Sequence, residues 1–516
     1  MSKTENSQSR LKKASTNVRY NLLSYIVKTI LSFATRTVFI RVLNSTLLGT
    51  TSLFTNLLSM LSIAELGISS AIGFSLYKPL ANGDKAKVSS IMSLFRKAYI
   101  AIGCVVLGLG LVLSLFLQNI IADFESIDNA YLIYAAFLAN TVLSYFISYK
   151  EILATADQKS YIISRIQILS DIITNALQII ILILTRNFLL YLGIQIIMQI
   201  ASRIVINITV SKRYSYIDFR SKEKISKTDS DLIRTNVSAM FFHKIGDYFI
   251  NGTDSIIISS FINIAAVGIY SNYLTIITML TSVTNMIFNG ILSTVGNIIA
   301  TETPERQYES HRKIDFAGYI IFSYCTLMLF TIMRPFIKIW AGDDYVLDRS
   351  IELIIIANFY LVGMRMTINS IKNAAGLYKV DRFSPLIQSA INIITSIALV
   401  QQLGLLGVVI GTITSSILLP MWQRPYLVYK HALKRSSKEY FRRHAGFLLL
   451  VLAQGGLLYF VNNIIAVENN VARLAIMGVT TTALFIVVNF TVFKNNKYMC
   501  YFKRLASERL HKWTKR

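Results

Sequence analysis

The chain has 516 residues, 53% of them hydrophobic and only 15% charged, with a formal net charge of +25. A soluble chain carries about 25% charge, and apolar runs long enough to span a bilayer recur from end to end, so the sequence reads as a polytopic membrane protein. No aqueous stretch of catalytic-module size is left over, and the cations sit in short loops and tails, where they report topology rather than nucleic-acid binding.

Residues 1–19 form a polar, basic tail, and no short apolar core with a cleavage site follows. That pattern predicts an uncleaved first span. Fourteen spans are expected: 20–43, 47–73, 98–117, 130–149, 160–184, 188–210, 237–261, 267–299, 316–340, 351–373, 383–400, 405–427, 445–465 and 471–493. With a cytoplasmic N-terminus, the inner segments hold Lys12, Lys13, Arg19, Lys85, Lys87, Arg96, Lys212, Arg213, Lys434, Arg435 and Arg443. The outer loops hold Asp123, Glu125, Asp128, Asp343, Asp344, Asp348 and Glu468, with only Arg186 and Arg349 basic. Fourteen spans with both ends inside satisfy the positive-inside rule at nearly every loop. The three cysteines have no metal-ligand spacing, and no disulfide, metal or cofactor is expected.

Gly49, Ser52, Phe54, Leu57 and Met60 precede Gly268, Ser271, Tyr273, Ile276 and Met279 by a constant 219 positions. Ala154 and Lys159 match Ala374 and Lys379 at an offset of 220, and Gly193 matches Gly411 at 218. Such self-similarity implies two halves built alike, the usual anatomy of an alternating-access transporter. The expected divisions are an N-lobe at 20–210 with spans 1–6, a basic linker at 211–234 and a C-lobe at 235–431 with spans 7–12. Spans 13 and 14 and a basic tail are appended at 432–516.

A cation at the bilayer centre costs about 2.5–3.5 kcal/mol on insertion scales, so such residues face a bundle interior or water. In the first span Asn21, Ser24, Lys28, Ser32, Thr35 and Arg36 share one helix face. Arg36 and Lys28 are binding candidates there, with snorkelling to the inner surface as the alternative for Lys28. The seventh span repeats the stripe with His243, Lys244, Asp247, Asn251 and Asp254. His243, Lys244 and Asn251 are binding candidates; Asp254 and Asp247 are candidates for a coupling ion or proton. An internal pair of Asp247 with His243 or Lys244 is the alternative.

The tenth span places Arg365 deep between apolar runs, with Asn369 one turn on and Lys372 at the cytoplasmic edge. Arg365 and Asn369 complete the candidate set. Glu65 is expected to pair with a first-span cation and Asp171 with Arg203. Trp340 and Trp422 read as interfacial anchors, and Pro335, Pro385, Pro420 and Pro425 as kinks. Cations outnumber acids among these candidates, and arginine matches phosphate oxygens in bidentate fashion, so the expected ligand is an anion. No catalytic residue is expected.

The phrases ELGISSAIGFSLYKPLANGDKAKV followed by FRKAY, HKIGDYFINGTDSIIISSFINIAAVGIYSNY and ILATADQKSYI resemble polysaccharide-repeat flippases. These belong to the multidrug/oligosaccharidyl-lipid/polysaccharide (MOP) exporter superfamily. The resemblance implies two six-helix lobes around a cavity and, as cargo, an oligosaccharide on undecaprenyl pyrophosphate. It implies transfer from the inner to the outer leaflet of the cytoplasmic membrane, for capsule, exopolysaccharide or O-antigen assembly. Cationic cavity residues would hold the head, and a polysaccharide polymerase and chain-length machinery are the implied protein partners. A multidrug exporter of the same superfamily and a membrane-embedded polymerase or glycosyltransferase are the competing readings.

Overall fold

The computed structural model describes residues 3–65, 68–219, 249, 252–377, 380–464 and 469–514. Every regular element among them is helical. Twelve segments are long and apolar enough to cross a membrane, and they match twelve of the fourteen expected spans. Of the other two, span 2 is interrupted, and most of span 7 lies outside the described residues. The protein is an all-α polytopic membrane protein of about fourteen transmembrane helices. The chain divides into two compact units, Met1–Ser271 and Asn272–Arg516.

In the first unit the helices are α1 (Lys3–Val42), α2 (Ser45–Leu61), α3 (Ile68–Asn82), α4 (Lys85–Ser114) and α5 (Leu117–Ile120). There follow α6 (Ala130–Ser148), α7 (Glu151–Ala156), α8 (Ser160–Thr185), α9 (Phe188–Arg213) and α10, described over 252–261. Then α11 (Ile264–Thr301) begins and runs past the unit boundary. Span 3 starts earlier than hydropathy suggests, because Asp84 caps α4 by accepting from Lys87 N at 2.9 Å, so the basic loop joins the helix. Span 2 stops at Leu61, tightens into a 3-10 turn over Ser62–Glu65 and resumes at Ile68. The turn holds Glu65, whose carboxylate accepts from Ser69 Oγ at 2.9 Å and from Tyr99 Oη. A half-buried acid is stabilised by such partners, and here they are hydroxyls rather than the expected first-span cation.

The repeat appears atom by atom in this unit. Asn44 Oδ1 accepts from Leu47 N at 2.9 Å to start α2, and Asn263 Oδ1 accepts from Ala266 N at 2.7 Å to start α11. A Cβ built on Gly49 would collide with the Ile264 carbonyl oxygen, and one on Gly268 with the Ser45 carbonyl oxygen. Each such Cβ would also lie 3.0 Å from the other glycine's nitrogen. Asn44 and Asn263, Ser45 and Ile264, and Gly49 and Gly268 are the same repeat positions, so α2 and α11 cross backbone to backbone about a local two-fold. Only glycine permits that approach.

In the second unit α11 is followed by α12 (Pro304–Trp340), α13 (Arg349–Ala374), α14 (Ser384–Leu403), α15 (Leu405–Leu418) and α16 (Pro420–His431). The last three are α17 (Lys438–Ile464), α18 (Asn470–Val492) and α19 (Lys497–Thr514). Span 12 is broken between α15 and α16, where Pro420 cannot continue the ladder. Pro385 lies at the start of α14 rather than inside it, while Pro335 and Pro425 lie within α12 and α16. Trp340 is buried, unlike an interfacial anchor, whereas Trp422 is exposed.

Helices α12 and α13 pack closely: Gly363 leaves room for the Phe322 ring and Gly318 for the Thr367 methyl. Spans 13 and 14 are bound into this unit. Tyr319 of α12 stacks on Phe447 of α17 at 4.1 Å and donates to Asn489 Oδ1 of α18 at 2.8 Å. Asn489 Nδ2 in turn donates to Gln454 Oε1 of α17 at 3.3 Å. In a low-dielectric core a satisfied chain of this kind fixes three helices in register.

Candidate functional site

The predicted residues fall into both units. In the first, Arg36 is half-buried and its Nη2 donates to Ser271 Oγ at 2.7 Å, just past the glycine crossing. Part of the expected polar stripe on α1 seals onto α8 instead of facing open space. Thr35 Oγ1 donates to Asn175 Oδ1 at 2.6 Å, and Ser164 Oγ to Asn21 Oδ1 at 2.7 Å. Lys28 is exposed and acts electrostatically on Asp171 of α8. Arg203, the expected partner of Asp171, lies instead with Glu151, lining one polar pocket with it.

Asp254 is buried, and Tyr270 Oη donates to its Oδ2 at 3.3 Å. At the next residue, Asn56 Nδ2 of α2 donates to Ser255 Oγ of α10 at 2.7 Å. Span 1 thus reaches α11 through Arg36, and span 7 reaches α2 through Ser255, the repeat counterpart of Arg36 at an offset of 219. His243, Lys244, Asp247 and Asn251 lie outside the described residues.

In the second unit Arg365 is 7% exposed in the middle of α13. Its Nη1 donates to the Ser416 carbonyl at 3.1 Å. That carbonyl would ordinarily accept from the N–H four residues on, and residue 420 is proline, which has none. The arginine fills the vacancy that the helix break creates. Its Nε remains a buried donor with no acceptor among the described residues. A second guanidinium, Arg424 of α16, lies close enough to act on its charge, and Arg424 Nη1 donates to Asn369 Oδ1 at 3.2 Å. The structure therefore brings Arg365 and Asn369 together, with Arg424 as the link. Lys372 does not snorkel to the surface: it is buried in an ion pair with Asp381.

On the neighbouring face of α13 lies a network that the sequence reading missed. Asp315 of α12 is fully buried and paired with Arg443 of α17 at 2.6 Å. Thr367 Oγ1 donates to its Oδ1 at 3.1 Å, and His444 Nε2 lies 3.4 Å from the same oxygen. His311, also fully buried, packs edge-on to Tyr429 and stacks on Tyr440. Arg443 reads in sequence as an inner-loop cation. The available signal was Asp315 itself, an acid placed just ahead of an apolar run with no cation one turn further along. Chemically, α13 thus offers an anion a spare guanidinium donor on one side. On the other, a neutralised carboxylate fastens the helix to α12 and α17.

A family model described as "Polysaccharide biosynthesis protein" matches residues 14–292, more than half of the chain. No curated protein matches by sequence. Among solved structures, the lipid II flippase MurJ in an inward closed conformation matches with a TM-score of 0.63 at 13% identity, over 93% of this chain and 99% of that one. An inward-facing multidrug resistance MATE family transporter of the MOP superfamily matches at 0.61 and 13% identity, over 79% and 95%. A Vibrio cholerae MATE transporter matches at 0.55 and 16%, over 83% and 98%. The fold implied by the sequence resemblance is the fold these transporters share.

Proposed function

Since the chain belongs to the polysaccharide biosynthesis protein family, we propose that it is a flippase for undecaprenyl-pyrophosphate-linked oligosaccharide. It moves the anionic head from the inner to the outer leaflet of the cytoplasmic membrane by alternating access, while the polyprenyl tail stays in lipid. It makes and breaks no covalent bond. Both termini are cytoplasmic, and the two six-span lobes, 20–210 and 235–431, are joined by the basic linker at 211–234. A polymerase and its chain-length machinery take the product.

One observation carries the reading. Arg365 is a deeply buried arginine with a donor that has no acceptor among the described residues, beside a second guanidinium. Buried cations without a counter-charge are costly in hydrocarbon unless a ligand or water meets them, and a pyrophosphate oxygen is a fitting acceptor for a guanidinium N–H. Arg36, Lys28, Lys244, His243, Asn251 and Asn369 contribute further contacts, and Asp254 and Asp247 carry a coupling proton or ion.

The test is reconstitution into vesicles loaded with lipid-linked oligosaccharide and scored by a leaflet-restricted sugar probe. Wild type moves the lipid; Arg365→Lys, which keeps charge but loses the fork, moves it at least ten-fold more slowly. An unchanged rate in that variant rules out the anion seat. Proton- or sodium-driven efflux of a cationic dye, without lipid transfer, establishes the multidrug exporter in its place.

A further inference from the structure

A cavity of about 210 Å³ opens where the end of α12 meets the start of α13, the end of α17 and the start of α18. Four cations line it: Arg334, Lys338, Arg349 and Arg473. Two of them are held in place by one carboxylate. Glu352, fully buried, accepts from Arg334 Nε at 3.2 Å and from Arg349 Nη1 at 3.1 Å. Arg334 Nη2 is further fixed on the Leu347 carbonyl at 2.7 Å, and Arg349 Nη2 on that of Phe330 at 3.0 Å. Lys338 pairs with Asp343, which is largely exposed. Arg473 donates to Asn462 Oδ1 at 3.1 Å and forms no ion pair among the described residues.

Among the described residues two carboxylates therefore face four cations, and the excess sits in a preformed hollow. Asn470, on its wall, is also the first residue of α18, so the positive end of that helix adds to the potential. Tyr459 on the rim is exposed, as aromatic residues are at a membrane–water interface. The cavity is smaller than the ~300–1,000 Å³ of sites for drug-sized ligands, so it suits a headgroup and not an oligosaccharide.

We propose that this pocket binds the phosphate of an anionic lipid headgroup, at the interfacial end of the second unit. Arg334 and Arg349, already oriented by Glu352, present a rigid guanidinium pair, and Arg473 closes on the phosphate from α18. This site is separate from the anion seat at Arg365 and needs no transport to be occupied.

The experiment is native mass spectrometry of the full chain, titrated separately with phosphatidylglycerol, undecaprenyl monophosphate, phosphatidylcholine and inorganic phosphate. Phosphatidylglycerol, undecaprenyl monophosphate or both are expected to bind at least ten-fold more tightly than phosphatidylcholine; whichever does identifies the source of the phosphate. The Lys338→Gln/Arg473→Gln variant is expected to lose that preference with an unchanged unfolding midpoint, because neither residue holds a buried partner. Arg473→Lys, a milder change, is expected to weaken binding three-fold or more. Arg365→Lys is expected to bind phosphatidylglycerol like wild type, which separates this site from the transport reading. The proposal is overturned if the glutamine variant binds like wild type, if phosphatidylcholine binds equally well, or if only inorganic phosphate responds to the substitutions.

Discussion

Pro420 withdraws the N–H that would close the last turn of α15, and Arg365 supplies a donor from α13 in its place. In the proposed reading the same side chain also receives the anion, and the two roles are separable. Arg365→Ala leaves a buried carbonyl unsatisfied, an expected loss of about 1–3 kcal/mol, seen as a lower unfolding midpoint in detergent. Pro420→Ala restores an N–H, so the Arg365→Ala/Pro420→Ala protein is expected to regain most of that stability and still fail to transport. Strictly additive losses in the pair would mean that the carbonyl is not what Arg365 stabilises. Asp315 gives a contrasting case. Asp315→Asn strands Arg443 in a buried setting, an expected loss of about 3–5 kcal/mol, whereas Asp315→Leu with Arg443→Leu is expected to lose less than Asp315→Asn alone. Sequence displayed Arg365 because a charge inside an apolar run is visible by itself. It did not display the Asp315–Arg443 pair, whose members are 128 residues apart and linked by no periodicity.

Among the elements, the crossing of α2 and α11 turns a weak sequence repeat into a physical constraint. Gly49 and Gly268 are the two halves of one contact, each opposed by the carbonyl of the other helix. A methyl group at either must push both backbones apart, so Gly49→Ala and Gly268→Ala are expected to cost similar amounts, about 1–3 kcal/mol or more. The double variant should cost less than their sum, since the first substitution already opens the gap. Thermal unfolding monitored by size-exclusion fluorescence is sufficient to check this. The repeat was legible because its offset is constant and glycine is rare within it. The interruption of span 2 was not, because a hydropathy window averages over Ser62–Glu65 and sees only composition. Glu65 needed hydroxyl partners from α3 and α4, and folding alone brings Tyr99 to it.

For the whole molecule, span number followed from apolar length and loop charge, both properties of the unfolded chain, and twelve of the fourteen lie where hydropathy puts them. What sequence could not convey is how firmly spans 13 and 14 are built in. They look appended because they have no repeat counterpart, yet Arg443, Gln454 and Asn489 complete hydrogen bonds and charge pairing that α12 begins. Truncation after residue 437 is therefore expected to abolish folded protein, not merely slow transport, as judged by the loss of a monodisperse peak in detergent. Orientation has a simple check in Cys500, which is exposed in the tail. In a Cys104→Ser/Cys325→Ser background, a membrane-impermeant maleimide is expected to label Cys500 only after the cells are lysed. Labelling of intact cells would place the C-terminus outside.

The joint at Ser416 and Pro420 has one more implication. A guanidinium cannot serve a helix carbonyl and a visiting phosphate equally well with the same N–H, so cargo that recruits Nη1 unlatches α15 from α13. Loading would then loosen the elbow between α15 and α16, which makes that elbow a sensor of occupancy. Spin labels at Ile410 and Lys430 are expected to show a broader distance distribution when pyrophosphate is added to the protein with Arg365 intact, and no change in Arg365→Lys.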